Sequence, residues 1–392
     1  MNHFKKQQIQ NIADFNPREQ LAKGALAKSV PMAMLKEFQR QITGYEIKVF
    51  NGGAKFRNGD TLLAKITPCL ENGKTAFVDI LDDGEVAFGS TEFIVLRAKN
   101  ETNPEFLYYF AISPDFRKRA IECMEGTSGR QRVNENTLKI LELPIPEPQT
   151  QQSIAAILSA LDKKIALNKQ INARLDEMAK TLYDYWFVQF DFPDVNGKPY
   201  KSSGGDMVFD ETLKREIPKG WKPFKLSELV NLSTGKEDAN FATEQGIYPF
   251  FTCSEKILKC DVYSFDTQAI LLAGNGTFSV KRFTGRFNAY QRTYVLEPKS
   301  KNLYPIVYFV IIDNVIKFTS GSRGSIIKFI TRGDIENIDV VLPNDIENMR
   351  FSEILYTFLL QAELLEKQNH QLTQLRDFLL PMLMNGQVSV AE

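Results

Sequence analysis

Between residues 268 and 292 the chain reads QAILLAGNGTFSVKRFTGRFNAYQR. This stretch holds Lys281, Arg282, Arg286 and Arg292 and no Asp or Glu. Asn275, Asn288, Tyr290 and Gln291 are interleaved with these cations. Lys and Arg neutralise phosphates, and Arg, Asn and Gln can bond base edges through two atoms at once. A second acid-free stretch, TSGSRGSIIKFITRG (319–333), adds Arg323, Lys328 and Arg332. The same theme occurs earlier in GTSGRQRVN (126–134), with Arg130 and Arg132. Gly and Ser beside Arg let the backbone approach a phosphate closely. Lys65, Lys74, Arg130, Arg132, Lys236, Asn275, Lys281, Arg282, Arg286, Tyr290, Arg292, Arg323 and Lys328 form the set of candidate DNA contacts. The sequence does not say which of them touch bases and which touch phosphates.

Chemistry of other kinds fails on inspection. PCLENGKT (68–75) ends like a phosphate-binding loop, but Pro68 stands where the first glycine is needed. AGNGTF (273–278) lacks a third glycine and reads as a turn. No NPPY or DPPY run exists, which amino-methyltransferases use to hold a target base. His3 and His370 are the only histidines, which leaves little room for acid–base catalysis. Cys69, Cys123, Cys253 and Cys260 form no CxxC pair. They are expected to be reduced, and neither a catalytic residue nor a metal site is assigned.

The elements that would position the basic loops recur. Residues 126–178 and 319–375 each run from a Ser/Gly/Arg loop through a short strand-like segment ending in Pro to a long helix. Pro146 and Pro343 lie 197 positions apart, and LNKQ (167–170) and LEKQ (365–368) lie 198 apart. A near-constant shift over this distance points to duplication of a whole module, which suits a bipartite target.

Residues 1–150 form a first domain, with strands expected at 60–66, 74–81 and 92–97 and helices at 104–113 and 114–124. A central helix follows over 151–190. Its apolar seam is expected to run through Ile154, Leu158, Leu161, Ile165, Ile171, Leu175, Met178, Leu182 and Trp186, interrupted by Asn168. At 1.5 Å per residue it would be roughly 55–60 Å long. Residues 191–345 comprise a polar linker, expected to have little structure to about 217, and a second domain. The last helix, 346–392, carries Phe351, Leu355, Phe358, Ala362, Leu365, Leu372, Leu375 and Leu379, with Asn369 as its polar interruption. Each amphipathic helix must bury its stripe, and the simplest partner is the other helix, antiparallel.

With 392 residues, 48 basic against 48 acidic side chains and 43% hydrophobic content, the chain suits two to three soluble domains. The neutral balance argues against a polyanion-coating protein while leaving local basic patches free to act. No apolar leader or membrane-length run is evident, so a cytoplasmic protein is expected.

The segment ELPIPEPQTQQSIAAILSALDKKIALNKQINARLDEMAKTLYDYWFVQFDFP resembles the central region of specificity (S) subunits of type I restriction-modification systems. GKEDANFATEQGIYPFFTCSEKILKCDVYSFDTQAILLAGNGTFSVKRFTGRFNAYQRTYVL is similar to one of their target recognition domains. The resemblance implies an α+β architecture: two globular α/β target recognition domains separated by two long helices packed as an antiparallel coiled coil. It implies a non-catalytic subunit that reads an asymmetric, bipartite double-stranded DNA site. It further implies docking of two methyltransferase (M) subunits, which carry S-adenosylmethionine, and through them of restriction (R) subunits. Leu158, Leu161, Ile165, Asn168, Leu175, Leu355, Phe358, Leu365, Asn369 and Leu372 are the candidate helix-pair and partner interface. One departure stands out. The second domain opens with IPKGWKPFKLSELVNLSTG (217–235), for which the first shows no clear counterpart, so its N-terminus reads as shortened or divergent. Two other classes stay open: a self-sufficient modification enzyme, and a coiled-coil interaction protein that never binds DNA.

Overall fold

The computed structural model describes residues 4–99, 101–127, 129–319, 329–346, 349 and 351–388. The chain divides into two compact units, Met1–Leu167 with Gln368–Glu392, and Asn168–Lys367. The central helix (Pro148–Tyr183) and the C-terminal helix (Ser352–Met384) each contribute one half to each unit. The central helix has Pro148 in its first turn, where a missing N–H costs little, and no Pro or Gly after it.

In the first unit, strand Lys5–Gln8 pairs antiparallel with Glu142–Ile145. A single helical turn, Ile9–Ile12, then leads into strand Ala13–Phe15. One four-stranded sheet has the order Ala13–Phe15, Phe93–Ala98, Thr61–Ala64, Thr75–Phe77. A second has the order Glu46–Val49, Leu26–Val30, Ala87–Gly89, Ala54–Phe56. Side chains of a strand alternate between its faces. Thus Leu63, Ile94 and Leu96 join a core with helix Pro104–Ile112, while Leu62, Phe93 and Val95 join a core with Val30 and Phe56. Helices Pro104–Ile112 and Pro114–Glu122 start with Asn103 and Ser113 as side-chain caps and a proline next to each. That is the combination that satisfies free N–H groups and presets φ.

The second unit is built around a six-stranded sheet in the order Val230–Thr234, Thr293–Pro298, Phe265–Ala273, Val280–Ala289, Tyr248–Phe251, Leu258–Cys260. Ile270, Leu272 and Leu296 pack with helix Leu303–Thr319, and Ala269, Leu271 and Val295 pack with Phe251 and Phe287 on the other face. Here too an opening strand, Trp221–Lys225, pairs antiparallel with a closing strand, Asp339–Pro343, and a helical turn, Leu226–Leu229, follows the opening one.

That arrangement corrects the expectation about the N-terminus. KKQQ–IQNI–ADF is the counterpart of WKPFK–LSEL–VNLST, strand for strand. Lys5–Gln8 escapes notice because it is polar and largely outside the core. The expected loose linker is also corrected. Met207–Asp210 and Arg215–Pro218 form a hairpin, and Phe190 and Phe192 are buried with Trp221. Rings 4.7 Å apart stack Phe192 between Tyr200 and Trp221.

The halves of the long helices run antiparallel within each unit. In the first, Asn369 donates to the Ile165 carbonyl (3.3 Å), Arg376 meets Asp162 (2.8 Å), and Leu158 shares a core with Leu380 and Leu383. In the second, Trp186 and Phe351 touch edge-on, and Ala179 and Tyr183 share a core with Leu355 and Leu359. Leu158, Ile165, Asn168, Leu355 and Leu365 are buried, and Leu161, Leu175, Phe358, Asn369 and Leu372 are half-buried. The expected seam needs three corrections: Ile171 (37% exposed), Met178 (50%) and Leu375 (45%) lie outside it. Polar residues with partners, Asp162 and Arg376 among them, take seam positions instead.

Candidate nucleic-acid interface

In the first unit the loop at 65–74 is the hub. Its start is tied to the Ser/Gly/Arg loop, since Thr67 N–H donates to Gln131 O and Val133 N–H donates to Lys65 O. Arg132 is exposed and grips Glu92 with two bonds, of 2.9 and 2.8 Å. The hydrogen bonds from Arg132 hold the Glu92 carboxyl below its ordinary range. Lys65 lies 3.8 Å from Glu135, and Arg130 is exposed. Lys65, Arg130 and Arg132 are thus brought together. Lys74 sits at the loop's far end, with its amine half-buried against Met32 O (3.5 Å). A cleft of about 750 Å³ beside Lys65 is also lined by Asn16, Arg18, Lys55 and Thr91. Arg18 and Lys55 are cations the sequence reading missed. Lys55 lies in the turn-rich run NGGAKFRNG, on a strand of the other four-stranded sheet from the one that leads into Lys65, so only the tertiary fold brings the two to one cleft.

In the second unit four loops converge at one end of the six-stranded sheet. Gly274 N–H donates to Arg292 O (2.9 Å), Gln291 N–H to Glu237 O (2.9 Å), and Thr277 Oγ1 to Cys253 O (2.9 Å). Lys281 donates to Ser254 O and to Ser279 Oγ (3.3 Å). Burial draws the Lys281 amine below the ordinary lysine range. Asn275 bridges antiparallel to Phe329. Two glycines permit these approaches: a Cβ on Gly274 would sit 2.7 Å from Arg292 O, and one on Gly235 would sit 1.9 Å from Ala289 O. Lys236, Asn275, Lys281, Tyr290 and Arg292 therefore belong to one loop cluster, and the AGNG run is a turn within it.

Two candidates, Arg282 and Arg286, do not belong to this cluster, and neither does the interleaved Asn288. Arg282 points the other way: its side chain is 6% exposed, pairs with Asp176 (3.0 Å) and lies 4.5 Å over the Tyr308 ring. Arg286 pairs with Asp266 (3.0 Å) and stacks over Tyr263. Five residues of extended strand, about 17 Å, separate it from Lys281. Asn288 is buried and donates to Val262 O. Arg323 and Lys328 lie outside the described residues. Among the described residues no group of three or more His, Cys, Asp or Glu is placed to hold a metal, and no helix is long and apolar enough to cross a membrane.

Two modules of one architecture, each ending in a basic loop cluster, invite comparison with known proteins. The family model of the type I restriction modification DNA specificity domain matches twice, at residues 9–177 and 218–374. The chain belongs to this family. It is 45% identical over 181 residues to the specificity subunit of type I restriction enzyme EcoDI from Escherichia coli. That match spans 44% of this chain and only 40% of that subunit's length. The chain is 24% identical over 319 residues to the MjaIX specificity subunit from Methanocaldococcus jannaschii, covering 74% of this chain and 70% of that one. The crystal structure of a type I restriction-modification S subunit from M. genitalium shares the fold. Its TM-score is 0.61 at 17% identity, over 97% of this chain and 96% of that one.

Proposed function

We propose that this chain is the DNA specificity subunit of a type I restriction-modification complex, each unit reading one half of a bipartite, asymmetric site. The observation that carries the reading is the pair of specificity domains, each gathering cations into one loop cluster. Phosphate contacts position such a protein and base contacts specify the sequence. The differing loops, Lys65/Arg130/Arg132 against Lys236/Lys281/Arg292, suit two different half-sites.

The chain itself is non-catalytic in this reading. Methyl transfer belongs to two methyltransferase subunits that bind S-adenosylmethionine, and restriction subunits join through them. Apolar side chains left exposed on the long helices support docking of such partners: Leu167, Leu375 and Phe378 in the first unit, and Met178, Leu360 and Leu364 in the second. The reading puts the chain in the cytoplasm, where its four free thiols stay reduced.

Methylome sequencing of a host expressing this chain with its methyltransferase subunit tests the proposal. A two-part motif is expected, and exchanging residues 193–343 for those of a relative should change only one part. An unchanged motif after the exchange would sink it. Protein purified without the methyltransferase should transfer no methyl group, and transfer would revive the self-sufficient enzyme instead.

A further inference from the structure

Three phenylalanines, Phe38, Phe190 and Phe278, adopt left-handed backbone conformations, with φ of 54°, 67° and 50°. A bulky residue in this region is an outlier that persists only where its surroundings hold it. One of the three is buried and a second is half-buried against the core. Phe190 is 3% exposed beside Trp221, and Phe278 packs against the main core of the second unit. Phe38 differs: the residue is 46% exposed.

The surroundings of Phe38 hold that exposed ring in place. Its N–H donates to Gly73 O (3.1 Å), and Glu37 bridges to Lys74. The Arg117 guanidinium lies 4.6 Å over the ring and donates to Glu71 O. Gly73 leaves room for the ring, since a Cβ there would stand 2.7 Å from it. Residues 71–74 belong to the loop whose other end, at Thr67, is tied to Gln131 between Arg130 and Arg132. A held, exposed aromatic therefore packs on one end of the loop whose other end is tied to the Arg130–Arg132 segment.

Resting on the specificity reading above, we propose that Phe38 is the wedge with which the first unit contacts bases, its ring pressing into a base step and unstacking it. Glu37 and Glu71 balance Arg117 and Lys74 beside the ring, and the polyanionic occupant follows from the tie of this loop to the exposed Arg130 and Arg132. Apolar side chains at DNA interfaces act by such partial unstacking.

The test uses the full chain assembled with its methyltransferase subunits, on duplexes carrying its own methylated motif. 2-Aminopurine is scanned through each half-site. Wild type and Phe38→Tyr should raise the probe's fluorescence at one step of one half-site. Phe38→Ala should abolish the rise and weaken binding about 10-fold, the scale of losing one aromatic–base contact. Gly73→Ala, which displaces the ring without removing it, should behave similarly. No rise at saturating wild-type protein, or unchanged binding by Phe38→Ala, overturns the wedge while leaving the specificity reading intact. Loss of subunit assembly in Phe38→Ala, seen by mass photometry, also overturns it by making Phe38 a protein contact. Absence of any sequence-specific binding by wild type removes the specificity reading itself.

Discussion

The two units seat their recognition domains on the long helices with different chemistry. In the first, the buried charges lie between the helices. Asp162 of the central helix meets Arg376 of the C-terminal helix at 2.8 Å, both almost wholly buried, and Tyr109 from the domain donates to Asp162 (2.7 Å). In the second, the helices supply carboxylates and the domain supplies the donors. Glu363 accepts from Tyr304 and from Thr284 (2.9 Å), and Asp176 meets Arg282 from the sheet. Burial, then the adjacent carboxylate, pushes the phenols of Tyr109 and Tyr304 well up. Both therefore stay protonated and donate. The difference teaches where each seat can fail: in the first unit the buried ion pair joins helix to helix, and in the second the loss of a helix carboxylate strands donors of the domain, the hydroxyls of Tyr304 and Thr284 or the guanidinium of Arg282.

The largest effect should come from Asp162→Ala. It leaves Arg376 buried without its main counter-charge, and urea unfolding should show a loss of about 3–5 kcal/mol. The double variant Asp162→Leu with Arg376→Met should recover most of this, because matched apolar side chains remove the desolvation penalty. A double variant as unstable as the single one would erase the contrast.

Glu363→Ala strands the hydroxyls of Tyr304 and Thr284 and should cost less, about 1–3 kcal/mol in the same measurement. A loss equal to that of Asp162→Ala would show that the two seats are energetically alike.

Arg282 and Arg292 then separate seat from surface within one unit. Arg292→Ala should leave stability within about 0.5 kcal/mol, yet lower the slope of log affinity against log salt by about one if it holds a phosphate. Arg282→Ala should do the reverse, lowering the melting temperature with the salt slope unchanged.

The smallest effect is on pH. The Glu92 carboxyl is held low by the hydrogen bonds from Arg132, so its folded value lies below its unfolded one. The stability this pair adds is present above the unfolded value and lost as pH falls through the folded one. Melting curves of wild type and Arg132→Gln should therefore converge at acid pH and separate slightly toward neutral. Parallel curves would show that the pair contributes nothing.

Most of the architecture was legible because it rests on local signals. The Pro-terminated strands and the long helices are written in short stretches of sequence. Strand Phe93–Ala98 and helix Pro104–Ile112 stand within a residue of where turn and cap residues put them. What was not legible depends on distant partners. Alternation along Val280–Ala289 puts Phe283 and Phe287 on the face opposite Arg282. Only Asp176, more than a hundred residues earlier, shows that the Arg282 face is covered by helix. Asp162 and Arg376 look like surface charges until two helix halves bring them together. Phe38, alone among Lys36, Glu37 and Gln39, gives no periodic signal at all.

The antiparallel pairing of opening and closing strands, Lys5–Gln8 with Glu142–Ile145 and Trp221–Lys225 with Asp339–Pro343, has a consequence for inheritance. Each module begins and ends at one place, so the chain enters and leaves it at two neighbouring attachment points, and beyond these a replacement has to match only the seat on the helices, such as Tyr109 on Asp162 or Arg282 on Asp176. Recombination between genes of this family needs only two crossovers to replace a reader whole, and the helices on either side meet the same pair of ends as before. Variation can then accumulate in the loops and spread between lineages without the scaffold having to co-evolve with it.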